Sequence, residues 1–493
     1  MQTTINYGLK LADEIATYKE WPPPKETAVR DALNRRRAFY DANKTVLKGL
    51  HSPAIEEETG YIVDPLPVRI SQAYADYLFS EPVKIKAADE NDQDRVDEIC
   101  QENDLDSRLH EVHEEYVSVE GEAWWRIRVD RTVATTPLIE WCSRSVVIPL
   151  IEAGKLVAAA FWTCLPYGRN DDVRYRLFEI HADNVRYLHL YRGKEGKLGQ
   201  RVPLTARTET ESLTEEWVHG LPILAGRVTN GPYKGDIAGR SDYEKIVDLL
   251  LALNEATTIG AKNVRLVGRK RLFVSSALRK PTETSGGKAT LLAVDDDVVQ
   301  YEGALVQQGT DTIPPVKQIE YSLDAEDLIK YKDDLVNTIL TRVGLVPQLI
   351  GDEAQGQATS GLELKLRFLP SINAGKGRGR QWNKGLKDAI KSVMLVDQLP
   401  QEAEGNAYQY KMVDHPSVTL GSILPQDEEE LVRLNATAVT AEIRSKYTAV
   451  AAQHPDWDET QILEELDRIK AETTLEPLQD GIPPALTPDT SQG

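Results

Sequence analysis

The chain predicts an α+β fold in which two long helices bracket a small β module. Three observations lead there. Gly239 to Gly361 reads as helix, β-rich excursion, returning helix and polar loop. Residues 120–235 read as short strands separated by Gly-bearing turns, the pattern of antiparallel hairpins. The last hundred residues are helical and acidic, with 18 Asp/Glu against 6 Lys/Arg over 401–493. A chain of 493 residues has room for roughly two to four domains.

In chain order, residues 1–50 predict helices. One carries Leu9, Leu11 and Ile15; the Trp21-Pro22-Pro23-Pro24 break follows; a second carries Val29, Leu33, Phe39 and Tyr40. Arg35, Arg36 and Arg37 form either a phosphate patch or a helix face paired with nearby acids. A helix over Ala73 to Phe79 precedes the alternating strand Glu81 to Ile85, then helices over Asp92 to Asn103 and Leu109 to Val119. Strands are expected at Trp124 to Val129, Val146 to Leu150, Val157 to Thr163 and Arg174 to Ile180, with turns at Glu152 to Lys155 and Gly193 to Gly199.

Ser241 and Glu244 have the Ser-x-x-Glu spacing of a capping box. The helix behind them runs to about Ala261, apolar nearly all round through Ile246, Leu250 and Leu253, so neighbours are expected on several sides. The β module, residues 263–320, has strand-like runs at Val264 to Val267, Leu272 to Val274, Leu291 to Val294 and Ile313 to Ile319. The returning helix starts near Ser322, carries Leu328, Leu335, Ile339 and Val343 on one face, and stops at Gly344. Each helix would be on the order of 30 Å long.

Next come a polar loop from Pro347 to Thr359, a helix from Ser360 to about Leu369, a Gly/basic run from Gly375 to Arg380, and a helix over Trp382 to Val396. Glu428 to Tyr447 reads as one helix, and Asp458 offers a capped start to another through Ile462, Leu466 and Ile469. Residues 473–493, with four prolines and no apolar period, are expected to be disordered.

The formal net charge of -20 argues against a simple basic-patch nucleic-acid binder and against an anionic-membrane binder. No apolar run approaches the roughly 18 residues of a membrane span. Met1 to Lys10 lacks the pattern of a signal peptide, so assembly in the cytoplasm is expected. Cys100, Cys142 and Cys164 are isolated and predict reduced thiols.

Catalytic patterns are sparse. His110 and His113, three apart on a helix, could share a metal, but this is not H-E-x-x-H and a third ligand lacks a candidate. Glu120 and Glu122 beside Trp124 and Trp125 suggest a carbohydrate-active acid pair; two acids alternating on one strand face equally describe a solvated face. Asp295 to Asp297 reads as a turn, with a cation site as the alternative. Ser285-Gly286-Gly287-Lys288 lacks the flanking residues of a P-loop, so neither catalytic residues nor a cofactor are assigned. Lys376, Arg378, Arg380, Lys384, Lys387 and Lys391 form a local basic excess that could touch phosphate or pair with acids.

Four stretches in this order resemble the portal proteins of tailed bacteriophages, in the branch typified by siphophages of Gram-positive hosts. They are Val68 to Ile85, Gly239 to Asn254, Thr359 to Phe368 and Leu424 to Glu430. The resemblance covers about 60 to 470 and implies the portal fold. Residues 1–238 would be an α/β wing, 239–262 and 321–344 two stem helices, and 263–320 a small β-rich clip. Residues 345–400 would hold the tunnel loop and tunnel and wing helices, 401–472 a helical crown, and 473–493 the tail. It implies a homo-oligomeric ring, expected to hold twelve subunits, at one capsid vertex of a virion, serving packaging and ejection of double-stranded DNA without sequence preference. Implied partners are the terminase large subunit, major capsid and scaffold proteins and a head-completion adaptor; neither a membrane nor an enzymatic activity is implied. The tunnel loop would face DNA with Gln355, Gln357, Thr359 and Ser360. Lys376, Arg378 and Arg380 would contact DNA phosphates, and Arg269, Lys270 and Arg271 the motor. The alternatives are another head–tail component, such as an adaptor, and the carbohydrate-active enzyme.

Overall fold

A computed structural model describes residues 6–50, 60–130, 133–167, 172–231, 239–268, 271–275, 298–301, 316–319, 325–351, 361–399, 413–421, 428–454, 457 and 459–474. The expected disordered tail beyond residue 474, the Asp295 to Asp297 turn and the Ser285 to Lys288 loop lie outside these residues. The chain divides into two compact units, 1–423 and 424–493.

The largest sheet is antiparallel. Val147–Glu152, Lys155–Cys164, Val173–Ala182, Val185–Lys194 and Lys197–Val202 pair in sequential order, and Glu216–Val218 joins the free part of the fourth strand. Its turns are where the glycines predicted them: Ala153 and Gly154 both have positive φ, and Val185–Lys194 turns into Lys197–Val202 at Gly196. Pro149 sits in the edge strand, where a missing N–H costs no ladder bond. The Val185–Lys194 and Lys197–Val202 strands were absent from the sequence reading, because Arg, His, Gly and Lys interrupt their alternation. One face of the sheet is covered by the Tyr7–Ala16 helix, whose Leu11 and Ile15 pack with Ala158, Ala160, Phe178 and Ile180.

A second sheet, Ala225–Thr229, Glu122–Arg128 and Leu138–Ser143, is antiparallel throughout. It packs on the longest helix of the chain, Gly361–Asp397. Here the sequence reading is corrected. Two helices were expected, separated by Gly375 to Arg380; the helix is continuous. Two of its glycines, Gly375 and Gly385, serve close approach instead. A Cβ at Gly375 would stand 2.1 Å from the Tyr77 ring, and one at Gly385 would stand 2.4 Å from Val228. Glycine costs helix propensity, but bulkier residues here would push the helix off its neighbours.

Val247–Gly268 and Ala325–Val343 form the expected antiparallel pair. They are about 33 and 28 Å long at 1.5 Å per residue. Leu250, Leu253 and Ala256 pack in one cluster with Leu335, Ile339 and Leu340, and the Gly260 backbone lies against Leu328. The first helix starts later than the capping-box spacing indicated. Ser241 Oγ accepts from Tyr243 N–H at 3.1 Å and donates to Ser118 O at 3.1 Å, making a buried turn that precedes the helix. Between the pair, Arg271–Ser275 is the central strand of a small sheet, parallel to Val298–Tyr301 and antiparallel to Val316–Ile319.

In the second unit, Glu428–Thr440, Lys446–Gln453 and Glu459–Thr474 are three helices. The single helix expected over Glu428 to Tyr447 is broken. Glu442 takes a positive φ, and Ser445 caps the next segment by accepting from Thr448 N–H at 3.1 Å.

The wall of the first unit buries histidines in neutral form. Burial holds His219 down at about 3 and His189 at about 4. Their folded-state values lie below the ordinary 6.5, so the unfolded chain binds more protons between pH 6.5 and about 3. Their stabilising contribution is therefore complete above pH 6.5 and is lost as pH falls through about 4 and then 3. His219 Nδ1 accepts from Leu221 N–H at 3.0 Å, and an asparagine oxygen can replace it. His219→Asn is expected to flatten the acid side of the stability–pH curve, checked by urea midpoints from pH 7 to 4; an unchanged slope would refute this assignment.

Candidate functional site

The long helix is the element on which the candidate residues converge. Its buried face carries Trp382, Leu386, Ala389, Ile390 and Val393, all at 0% exposure. Trp382 stacks edge-on to Phe79 with centroids 5.0 Å apart, and its indole donates to His113 Nδ1 at 2.8 Å. Burial drives the His113 pKa well below 6.5, so it is the neutral acceptor this bond requires. His110 instead meets Asp76 at 2.8 Å. The two histidines do not converge, and no metal-holding cluster exists among the described residues.

On the opposite side, Lys376, Arg380, Lys384, Lys387 and Lys391 recur at spacings of four, four, three and four, which on one continuous helix makes a single stripe. None of the five is in an ion pair with a described residue. Lys376 and Arg380 are exposed.

Arg378 does not belong to this stripe, which corrects its reading as a phosphate contact. Its side chain is 11% exposed. The guanidinium pairs with Asp242, lies 3.5 Å above the centre of the Tyr74 ring and donates to Ala374 O at 3.1 Å. Burial opposes its charge, but Asp242 and Tyr74 outweigh this and hold its pKa above the usual value. Around it runs a polar chain. Asp242 Oδ2 accepts from Ser118 Oγ at 2.8 Å, Ser118 Oγ meets Ser71 Oγ at 2.8 Å, and Ser71 Oγ meets the Tyr243 hydroxyl at 2.6 Å. Tyr74 donates from its hydroxyl to Val343 O. The chain thus ties the turn before the first long helix, the end of the second and the Gly361–Asp397 helix to Leu66–Phe79.

The carbohydrate-site acids are also accounted for. Glu120 accepts from Ser143 Oγ at 2.8 Å and from Arg144 N–H at 3.0 Å. Glu122, at 0% exposure, pairs with Arg227 at 2.9 Å and lies 3.3 Å from Arg144 Nε. Burial holds both carboxyl pKa values above the usual range, and these partners offset only part of the rise. They are sheet-linking ion pairs, closed to a sugar. Arg36 and Arg37 are likewise engaged, with Glu120 O and Glu115.

Gln355, Gln357, Thr359 and Ser360 lie outside the described residues, as do Arg269 and Lys270. Arg271 opens the central strand of the small sheet, with Ile319 as backbone partner. The Asp242–Arg378 connection was missed by sequence reasoning. The two residues lie 136 positions apart, and the polar sequence around Asp242 carried no sign of the pairing.

The fold is thus a frame of paired rods, a small β module and a long helix, with Glu122 and Arg378 held in structural ion pairs. Residues 26–476 match the family described as Phage portal protein, SPP1 Gp6-like, and the chain belongs to that family. It is accordingly a portal protein, a structural head-to-tail connector of a phage-type particle. No curated relative matches the chain. Solved structures similar to it include a chain from the virion of a native gene transfer agent (GTA) particle, 10% identical, TM-score 0.41, covering 91% of this chain and 98% of that one. Another is from the neck of an empty GTA particle computed with C6 symmetry, 11% identical, TM-score 0.42, covering 80% and 91%. A third is from the neck of a native GTA particle computed with C12 symmetry, 10% identical, TM-score 0.41, covering 90% and 97%.

Proposed function

We propose that copies of this chain close a ring, expected to number twelve, through which double-stranded DNA is packaged and ejected. The observation that carries this is the outer surface of the long helix pair. Ile259, Val264, Ile329 and Tyr331 are 40, 62, 57 and 51% exposed on the single chain. Apolar side chains repeated along two rods need a covering surface, and head-to-tail contact with the next copy supplies one that closes. In this reading residues 1–238 are the wing, 239–262 and 321–344 the stem, 263–320 the clip, 345–400 the tunnel loop and its helices, and 401–472 the crown. The clip, with Arg269, Lys270 and Arg271, meets the terminase large subunit and later a head-completion adaptor. Capsid and scaffold proteins hold the wing, and assembly takes place in the host cytoplasm. ATP hydrolysis belongs to the motor.

The test is the mass and shape of the purified protein, by light scattering and negative-stain imaging. Val264→Glu with Ile329→Glu is expected to give folded subunits that do not close a ring. A wild-type monomer, even with capsid and scaffold proteins present, would overturn the reading.

Lys376 and Arg380 are assigned to DNA phosphates, and Gln355, Gln357, Thr359 and Ser360 to the channel wall. Few cations on that wall means few counterion-releasing contacts, so DNA slides. Gln355→Lys with Gln357→Lys is expected to slow translocation more at low salt than at high salt; packaging at the wild-type rate would count against this wall.

A further inference from the structure

A cavity of about 680 Å³ by Asp64 and Asn337 mixes both charge signs and selects no ligand. A second cavity, about 560 Å³, is more discriminating. It lies where the second sheet meets the long helix, within the size range of small-ligand sites. Its lining brings together Lys155, Lys384 and Lys391, with His415 at the mouth. Asp388 is the one carboxylate among the described lining residues, 3.8 Å from His415 Nδ1. Arg227 also lines it but is committed to Glu122. The three amines therefore exceed the acids at this place.

A second, independent feature sits in the wall. Trp125 is 2% exposed, and its indole Nε1–H has no acceptor among the described residues. Gly226 lies opposite Trp125 in the sheet, and the indole lies across it: a Cβ there would stand 2.3 Å from the Trp125 ring. Trp125 lines the cavity through its ring, and its Nε1 stays buried behind it. The remaining wall, Leu156, Ile223 and Leu395, is apolar. A free phosphate would use the amines and leave that surface wet. A peptide with acidic side chains next to apolar ones uses both features: carboxylates on the lysines and an apolar side chain on the floor.

We propose that this cavity is a docking site for an acidic, apolar-bearing peptide segment of a partner protein. Burial raises the Asp388 pKa, with His415 and the lysines opposing, which limits its competition with an incoming carboxylate.

The experiment uses the full-length protein and a short fluorescein-labelled peptide alternating glutamate and leucine, read by polarisation at low salt. Lys384→Gln with Lys391→Gln is expected to weaken binding about tenfold or more. Lys44→Gln with Lys48→Gln removes the same charge elsewhere and is expected to leave affinity within about twofold. Four results would overturn the proposal. They are absence of binding, equal binding of the glutamine-for-glutamate peptide, equal competition by inorganic phosphate, and equal loss in the Lys44/Lys48 variant.

Discussion

Replacing Arg144 by alanine is expected to lower the stability of the β-rich region by about 3–5 kcal/mol, the cost of stranding buried charges. Arg144 is 1% exposed. Its guanidinium donates to Glu26 at 3.0 and 3.3 Å and to Val147 O, and its Nε lies 3.3 Å from Glu122. Glu26 is 7% and Glu122 0% exposed, so neither regains water when the arginine is lost. Arg227 still serves Glu122, which leaves Glu26 as the more exposed casualty. Replacing both members, Arg144→Met with Glu26→Gln, is expected to recover much of the loss, because the uncompensated charge disappears with its partner. Tryptophan fluorescence during urea unfolding reports it, since Trp124, Trp125 and Trp141 sit in the adjoining strands. A single variant within about 0.5 kcal/mol of wild type would show that water enters the site and that the pair is not buried.

The second large effect concerns Arg378. Arg378→Ala is expected to cost about 3–5 kcal/mol, because Asp242, 4% exposed at its side chain, then faces no cation. Loss of the guanidinium also uncovers the Tyr74 ring. The same variant separates two readings of this residue. A phosphate contact would leave the melting temperature intact and change only the salt dependence of DNA passage. A structural pair lowers the melting temperature, and Arg378→Ala with Asp242→Asn restores part of it. Lys376→Ala, one turn-face away and exposed, is the comparison: it should leave thermal stability within about 0.5 kcal/mol.

The frame of paired helices and most hairpins were legible in the sequence because each rests on local chemistry; the family was legible only through the resemblance of four stretches to known portal proteins. Apolar residues at spacings of four and seven in Leu328, Leu335, Ile339 and Val343 define a helix face whatever it packs against. The turn at Ala153-Gly154 was legible because Gly154 takes a positive φ without a Cβ clash. What was not legible depends on partners far along the chain. Gly375 is consistent with a break or with close packing, and only Tyr77 across the interface decides for packing; Gly377, by contrast, faces open space. Arg378 looks like its basic neighbours until Asp242, 136 residues away, is brought to it. Glu120 and Glu122 look like an acid pair until Ser143, Arg144 and Arg227 close around them. The sequence by itself determined the element types and the class of assembly; the tertiary structure decided which charges remain free for function. The physical reason is that helix and strand periods are set within a few residues, whereas the state of a charge is set by whatever the fold packs against it.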